Sequence, residues 1–381
     1  MRYSHPVKCL VMGQYQFHGP ARFVRALKEV GFEVATLCQK GDLLGKTDFA
    51  DRRYFADVRD ETEMVMTLHN AVTSFQPDII LPSSENNVQV LQTYRKVLDV
   101  GKLTLDDAQR QMVFDCSFPT DSEKLLFSKI DLLDRLAELG VRIPAQQELF
   151  TIGNADDFVQ KHGYPVILKP SFGSGGIGIH ICHDEDQLFT ALGKCLKSGN
   201  RYCIQQYLGN QTAVMHYVAK DGELVAGNMT YRLRTYPGET GPTSVVRVMD
   251  NPEMLDVARK ICRLLGYNGI GAPQFIVENE GVGRAWLIEL NPRMGSFDHL
   301  WQRIGTDFAA ALRDAWTRRP VEHKPPQLGL TVALYPQETM RDPQSPFLDG
   351  INDLPVGDEG LMAAYSQLIE LKGTKPVGST S

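Results

Sequence analysis

The first hundred residues alternate short apolar runs with amphipathic helical segments, and that alternation restricts the chain to a layered α/β beginning. Residues 7–12, 32–38 and 78–82 read as buried strands. Between them, residues 21–30 place Phe23, Val24, Leu27 and Val30 on one helical face and stop at Gly31, where a left-handed cap is expected. Glu61–Phe75 is a second amphipathic helix. Strands joined by helical crossovers pair in parallel, so an open parallel sheet is the economical arrangement. Such sheets bind ligands beyond the carboxyl ends of their strands, here at residues 14–19 and 83–85.

Composition narrows the partners. The 381 residues carry 40 basic and 46 acidic side chains, a net charge of −6. At ~100–200 residues per domain this length makes two or three domains. No block of Lys or Arg is present to neutralise a nucleic-acid backbone, so nucleic acid is not an expected partner. Seven cysteines are scattered singly without a C-x-x-C pair, which fits reduced thiols and a cytoplasmic setting. No stretch approaches the ~18 apolar residues of a membrane span, and the N-terminus lacks an apolar leader, so neither membrane nor secretion is expected.

Farther along, residues 120–123 open a helix striped by Leu126, Ile130, Leu133 and Ala137 and ended by Gly140. Residues 164–170 form a strand that meets a glycine-rich loop at 171–178, followed by strand-like 177–182 and a helix over 184–196. Another strand covers 202–208. Residues 213–249 are β-rich with an Asp221-Gly222 hairpin turn, and Pro252–Leu265 is helical. Strands at 271–277 and 284–290 flank a turn at 280–283. Beyond Thr317 the chain is richer in proline and carries no clear period.

Gly173-Ser174-Gly175-Gly176-Ile177-Gly178 spells G-x-G-x-x-G, the pattern of dinucleotide-binding loops. That motif needs a helix directly after the glycines, because the pyrophosphate rests on the helix N-terminus. Here Ile177, Ile179 and Ile181 alternate as in a strand, and the next helix starts only near Asp184. The glycines therefore sit at a β-hairpin tip, where unhindered backbone N–H groups can fold over a phosphate chain. A nicotinamide-dependent dehydrogenase fails on this context, and the kinase motifs H-R-D and D-F-G are absent. A plain surface turn is the alternative.

Glu289-Leu290-Asn291-Pro292-Arg293 closes the last of these strands. A period of two puts Glu289 and Asn291 on one face. Adjacent oxygen ligands suit Mg²⁺, which takes few protein oxygens and completes its shell with water and phosphates. Gln274 on the preceding strand can add a third oxygen, and Arg293 emerges where a guanidinium can clamp phosphoryl oxygens. An exposed strand edge with a capping Asn is the alternative.

The order of these parts carries a resemblance. A strand P-V-I-L-K-P, a glycine hairpin, the hinge Ile204-Gln205-Gln206-Tyr207-Leu208-Gly209 and two strands ending in E-x-N-P-R resemble the ATP-grasp superfamily over roughly residues 120–315, most of all its carboxylate–amine ligases. The resemblance implies an α/β and α+β chain: an N-terminal open parallel βαβ (pre-ATP-grasp) domain at 1–115 and a linking helix at 116–145. A glycine-rich lid at 146–206, a catalytic subdomain at 207–318 and a C-terminal extension at 319–381 follow. ATP and Mg²⁺, or Mn²⁺, are the implied cofactors. Lys169 would touch the nucleotide near the adenine and α-phosphate, with Lys124 as a second phosphate lysine and Lys129 as its alternative. Gly173, Ser174, Gly175, Gly176 and Gly178 would cover the phosphates. Gln205, Gln206 and Leu208 would meet the adenine edge, Leu208 through its backbone, and Gln211 would lie by the ribose. Gln274, Glu289 and Asn291 would hold the metal, and Arg293 the transferred phosphoryl group. The chain departs from the family in having Gln206 and Gln211 where many relatives have acidic residues.

The implied activity joins a small-molecule carboxylate to an amine through an acyl phosphate, releasing ADP and phosphate. A carboxylating or kinase-like enzyme and a non-catalytic nucleotide-binding module are the alternatives, and a homodimer is compatible with either. Bidentate guanidiniums suit carboxylates and acyl phosphates. Arg232 and Arg234 share a strand face that also reads as a solvated one, whereas Arg247 follows a Gly- and Pro-containing loop and is preferred as catalytic. His18 and Glu85, at strand ends of the N-terminal sheet, are candidates for contact with the acid or amine, although a loop histidine is often only solvated.

Overall fold

The N-terminal alternation folds into a parallel sheet of four strands rather than three, in the order β3-β2-β1-β4. These are β1 (Lys8–Met12), β2 (Glu33–Cys38), β3 (Arg52–Phe55) and β4 (Ile79–Pro82), with helices α1 (His18–Glu29), α2 (Glu61–Phe75), α3 (Glu85–Asp99) and α4 (Asp107–Cys116). This computed structural model describes residues 5–13, 18–173, 178–238 and 241–373. β3 escapes sequence patterning because it is an edge strand, with Arg52, Arg53 and Phe55 exposed and no apolar alternation. α1 closes at Gly31 as its sequence requires: Gly31 takes φ +94°, and the Phe32 N–H returns to the Leu27 carbonyl at 3.0 Å. Ser84 accepts the Asn87 N–H and caps α3, so Glu85 begins a helix directly beyond the carboxyl end of β4.

The single helix expected from residue 120 to Gly140 is instead two, α5 (Glu123–Leu126) and α6 (Lys129–Glu138). Ser128 makes the break. Its Oγ accepts the Asp131 N–H at 3.1 Å and meets Ser171 Oγ at 3.0 Å, while the Lys129 N–H bonds to the Ser171 carbonyl at 2.9 Å. The restart seats Lys129 in the first turn of α6, against the end of the next sheet's central hairpin.

That sheet is antiparallel, in the order β5-β8-β6-β7. Its strands are β5 (Gln146–Leu149), β6 (Val166–Pro170), β7 (His180–Cys182) and β8 (Tyr202–Gln206). β6 and β7 pair antiparallel, Val166 with Cys182 and Leu168 with His180, so the glycine loop does connect a hairpin, although β7 is shorter than the strand expected from residue 177. Helices α7 (Ile152–His162) and α8 (Glu185–Lys197) cover Leu149, Val166, Leu168, Cys182 and Ile204. Strand alternation leaves Ile167, Lys169, Cys203 and Gln205 on the other face, which has no helical cover from α7 or α8.

The third sheet has seven strands in the order β13-β12-β9-β10-β11-β14-β15. They are β9 (Thr212–Lys220), β10 (Glu223–Thr235), β11 (Thr243–Met249), β12 (Gly269–Val277), β13 (Ala285–Asn291), β14 (Thr331–Ala333) and β15 (Ile351–Asn352). Asp221 and Gly222 both take positive φ (+54° and +75°), as a tight β9–β10 hairpin needs. α9 (Pro252–Leu265), capped by Asn251, joins α6 in burying Ala213, Met215, Tyr217, Tyr231, Phe275 and Leu287. On the opposite face, α10 (Trp301–Ile304) and α11 (Phe308–Trp316) cover Val218, Val246, Val248 and Ile270 around Trp301 and Phe308. Toward the hinge this face stays open.

The segment beyond residue 318, unreadable as sequence, supplies β14 and β15 to the sheet edge, then α12 (Gln337–Arg341) and α13 (Glu359–Gly373). Leu361 and Tyr365 of α13 pack on Ala21 of α1. Among the described residues, no helix is long and apolar enough to cross a membrane.

Candidate functional site

Glu289 lies where the open faces of the second and third sheets meet. On β13 it pairs with Gln274, while Asn291 pairs with Ala272. Gln274 in turn pairs with Val214, Val214 with Thr230, and Thr230 with Val248. Directly opposed residues share a face, so Glu289, Gln274, Val214, Thr230 and Val248 form one line of side chains across the sheet. Lys129 Nζ reaches Glu289 Oε2 at 2.7 Å, with only 26% and 24% of the two side chains exposed. Burial pushes the Glu289 carboxyl up. The charge and hydrogen bond of Lys129, backed by Lys169 and Arg293, prevail and hold it below the usual range. For Lys169 burial acts in the other direction, lowering its pKa although Glu289 pulls it back up.

Arg293 ties this strand end to the N-terminal sheet. Its Nε donates to Glu85 Oε1 at 3.0 Å, and its two terminal nitrogens donate to Asn291 Oδ1 at 3.2 Å and the Met294 carbonyl at 3.1 Å. The Met294 N–H bonds to the Pro82 carbonyl of β4 at 3.2 Å. Glu85, expected at the ligand edge of the parallel sheet, is thereby brought to the Glu289–Asn291 strand. Asn291 Nδ2 donates to the Ala272 carbonyl at 3.2 Å, which fixes the amide with its oxygen toward Arg293.

The three candidate arginines separate by strand phase. Arg232 pairs with Val246 and so lies on the Glu289 face. It is partly buried, which lowers its pKa, and it donates to Thr212 Oγ1 at 2.8 Å with no carboxylate partner among the described residues. Arg234 lies over the Phe347 ring, 4.7 Å from its centroid, and 3.7 Å from the buried Glu338. Arg247 requires a correction. It pairs with Tyr231, so its side chain projects from the opposite face, where it stacks on the Tyr231 ring at 5.5 Å and ion-pairs with Glu280. Strand alternation puts Val246 and Val248 on the Glu289 face, beneath α10 and α11, and Arg247 on the opposite one.

At the hinge, Gln205 shares the face of Lys169 and is buried, its Nε2 donating to Gln146 Oε1 at 3.1 Å. Gln206 pairs with Val166, so its side chain turns to the helix-covered side, and its N–H donates to the Ala145 carbonyl at 2.9 Å. The expected adenine contact of the Gln206 side chain is thus corrected: only its backbone belongs to the hinge. Leu208 and Gln211 lie on the connection between the second and third sheets, and the Gln211 carbonyl accepts the Val277 N–H at 2.9 Å. Of the two alternative lysines, Lys129 and not Lys124 reaches Glu289. Lys124 is exposed on α5, beside Asp131 and Arg201. Gly178 takes φ +76°, and a Cβ there would lie 2.9 Å from Tyr202 Oη; Gly173 takes φ +136°. Ser174, Gly175 and Gly176 lie outside the described residues. His18 begins α1 with its Nδ1 3.2 Å from Tyr365 Oη, a partner from the C-terminal extension that no sequence pattern announces.

One group near the site went unread. Asp298, fully buried, has Oδ1 2.6 Å from His216 Nδ1 and accepts the Gly295 N–H on Oδ2 at 2.6 Å. A Cβ on Gly295 would fall 2.3 Å from His216 Cε1, so only glycine fits. Asp298 therefore fixes the turn that follows Arg293. A lone Asp inside the apolar stretch around Phe297 and Leu300 was the only available signal.

The donor set is one carboxylate and two amides, ringed by Lys129, Lys169 and Arg293. So sparse a set fits a divalent ion such as Mg²⁺ that binds mainly through phosphates and water, and the surrounding cations fit the phosphates. No group of three or more His, Cys, Asp or Glu placed to hold a metal occurs among the described residues.

Residues 129–304 match the family described as carbamoyl-phosphate synthase L chain, ATP binding domain. The carbamoyl phosphate synthase large chain of Clostridium botulinum (strain Kyoto / Type A2) is 27% identical over 282 residues, covering 71% of this chain and 24% of that protein. The chain thus spans about a quarter of the length of the curated relatives it matches. Among solved structures, the biotin carboxylase domain dimer of Hydrogenobacter thermophilus 2-oxoglutarate carboxylase, with MgADP and bicarbonate, superposes with a TM-score of 0.63 at 17% identity, over 86% of this chain and 73% of that one. An L-amino acid ligase from Bacillus licheniformis gives 0.57 at 13% identity, over 82% and 75%. Fold and sequence match agree: residues 129–304 match an ATP-binding domain of the ATP-grasp type, and the chain has the fold of these solved structures.

Proposed function

We propose that the chain is an ATP-dependent carboxylate–amine ligase that forms an amide through an acyl phosphate and releases ADP and phosphate. The observation that carries this reading is Arg232, a partly buried guanidinium on the Glu289 face that donates to a neutral hydroxyl and to no carboxylate among the described residues. A cation kept in such a setting favours an anion that arrives with the substrate.

A carboxylate is a poor acyl donor because its leaving group would be oxide. Transfer of the γ-phosphoryl group to it makes phosphate the leaving group, and the amine then attacks the carbonyl carbon. Gln205 and the hinge backbone hold the adenine, while Lys129 and Lys169 bear on the phosphates under the glycine hairpin. Glu289, Asn291 and Gln274 would hold Mg²⁺, or Mn²⁺ in the same place, which when bound with ATP neutralises phosphate charge. Arg293, braced by Glu85 and Asn291, steadies the transferred phosphoryl group. Arg232 holds the acid's carboxylate and then the acyl phosphate. No side-chain nucleophile is required.

A second reading, carboxylation, is favoured by the bicarbonate and MgADP named with the biotin carboxylase domain. The same cleft would then phosphorylate bicarbonate. Coupled measurement of ADP over a panel of amino acids and small carboxylic acids, with mass spectrometry of the products, separates the two. ADP release that needs both an acid and an amine supports the ligase. Bicarbonate-dependent release without amine moves the assignment to carboxylation, and AMP with pyrophosphate formed in step with amide refutes the acyl-phosphate route.

A further inference from the structure

We propose that Gln146 and Asp134 are positioning residues that select the nucleobase: they fix the side-chain amide of Gln205 with its oxygen left for the base, so that the cleft takes a 6-amino purine and rejects a 6-oxo one. This rests on the reading that the hinge receives the base, and on nothing about the reaction that follows.

Residues opposed across strands put Gln146, Gln205 and Ile167 in one line on the open face of the second sheet, the face that also carries Lys169. Helix α6 meets the β5 end of this line. Gln146 Nε2 donates to the Asp134 carboxylate at 2.8 Å and to the Ile130 carbonyl at 3.2 Å, both on α6. Gln205 Nε2 donates to Gln146 Oε1 at 3.1 Å. Gln205 Oε1 accepts from no described residue, yet it is not among the buried polar atoms left without a partner, so the 1% of this residue that stays exposed includes the oxygen.

An amide can be turned end for end without changing its shape, and its partners decide which end is nitrogen. Here the decision starts outside Gln205. A peptide carbonyl and a carboxylate only accept, so the end of Gln146 that faces α6 is its NH₂ group. Its oxygen therefore faces Gln205, and the end of Gln205 that faces Gln146 is nitrogen in turn. An acceptor remains at the free end. Reversing Gln205 alone would set two amide oxygens against each other in a buried place, losing a hydrogen bond. The amino group at position 6 of adenine donates to such an acceptor. The oxygen at position 6 of guanine meets it acceptor to acceptor, and both stay unpaired.

Calorimetric titration of the full chain with the Mg²⁺ complexes of the non-hydrolysable imido analogues of ATP and GTP tests this assignment. The wild type should bind the ATP analogue at least about 30-fold more tightly, the scale of one unpaired buried acceptor. Gln146→Met keeps the length of the side chain and removes the relay, so Gln205 can turn and the preference should fall about tenfold. Asp134→Ala, at an exposed position where the fold tolerates change, removes one of the two acceptors that orient Gln146 and should lower the preference about threefold. A substitution that only loosened the fold would weaken both analogues alike. The assignment is overturned by a wild type indifferent to the base, or by a preference unchanged in Gln146→Met or, should that variant not fold, in Asp134→Ala. Binding of neither analogue overturns it together with the nucleotide cleft. The ligase reading is decided by the products formed and is untouched by these ratios.

Discussion

The Lys129–Glu289 pair can be tested through pH as well as through mutation. Its members are 2.7 Å apart and about a quarter exposed. Removing one member of a fully buried pair costs ~3–5 kcal/mol because the other is stranded, whereas an exposed pair contributes ~0–1 kcal/mol. With intermediate burial and Lys169 still near the carboxylate, Lys129→Met should destabilise the ligand-free protein by about 2 kcal/mol at pH 7. The folded-state pKa of Glu289 is depressed below its ordinary value of 4.5. A depressed carboxylate stabilises the fold fully above its unfolded-state pKa, begins to lose that contribution as pH falls past it, and has lost it all below the folded-state pKa. The gap between wild type and Lys129→Met should therefore be full at pH 7 and narrow steadily below pH ~4.5. Urea unfolding followed by circular dichroism at pH 7, 4 and 3 measures it. A gap as large at pH 3 as at pH 7, or none at pH 7, would refute the coupling between these residues.

Three further substitutions address the cleft and the turn beside it. Arg232→Met should lower kcat/KM for ADP release by roughly 100-fold, the scale of losing one preorganised donor to developing charge, whereas Arg247→Met should change it less than about threefold, as expected of a partly exposed ion pair on the far face. Equal losses would mean that strand phase does not decide the matter. Asp298→Asn turns one of two acceptors into a donor against His216 or the Gly295 N–H, and should cost ~2–3 kcal/mol in urea unfolding. Conserved stability would show that the turn after Arg293 is held by something else.

What could be read from the sequence was what local physics decides. α2 and α9 begin and end at the residues their patterns indicate, because Asp60 and Asn251 cap them and Gln76 and Gly266 close them in the left-handed region. The glycine hairpin was recognisable because alternation continued past it. Phase between strands was not available. Nothing in Ser244-Val245-Val246-Arg247 says that Arg247 faces Tyr231, since that follows from a β10–β11 register with irregularities at Arg232, Arg234 and Thr235. Gln206 fails for the same reason, its direction being set by Val166 on another strand. The C-terminal extension is hidden by distance along the chain: Asp358 caps the start of α13 and bonds to Thr47, and Asp353 pairs with Arg22, each joining residues more than 300 positions apart. Ser128 could have been found, since a serine ahead of Lys129-Ile130-Asp131 is a good N-cap, but the stronger cap at residues 120–123 masked it.

The charges of the cleft would let a net acidic chain hold a polyphosphate. Among the described residues, Lys129, Lys169 and Arg293 surround Glu289, and Glu85 lies beside Arg293, three cations against two carboxylates. Arg293 is occupied by Glu85 and Asn291, and Lys129 by Glu289, so in the proposed phosphate site both cations have a partner before a ligand arrives. Such pairing keeps the ligand-free cleft from collapsing on its own repulsion. It also sets a condition on binding. Lys129 leaves Glu289 at little cost only if a phosphate oxygen takes the carboxylate's place, and Glu289 gives up Lys129 only if another cation takes the ammonium's place. A nucleotide accompanied by a divalent ion meets both conditions together, whereas a bare phosphate chain meets one and leaves Glu289 buried beside added negative charge.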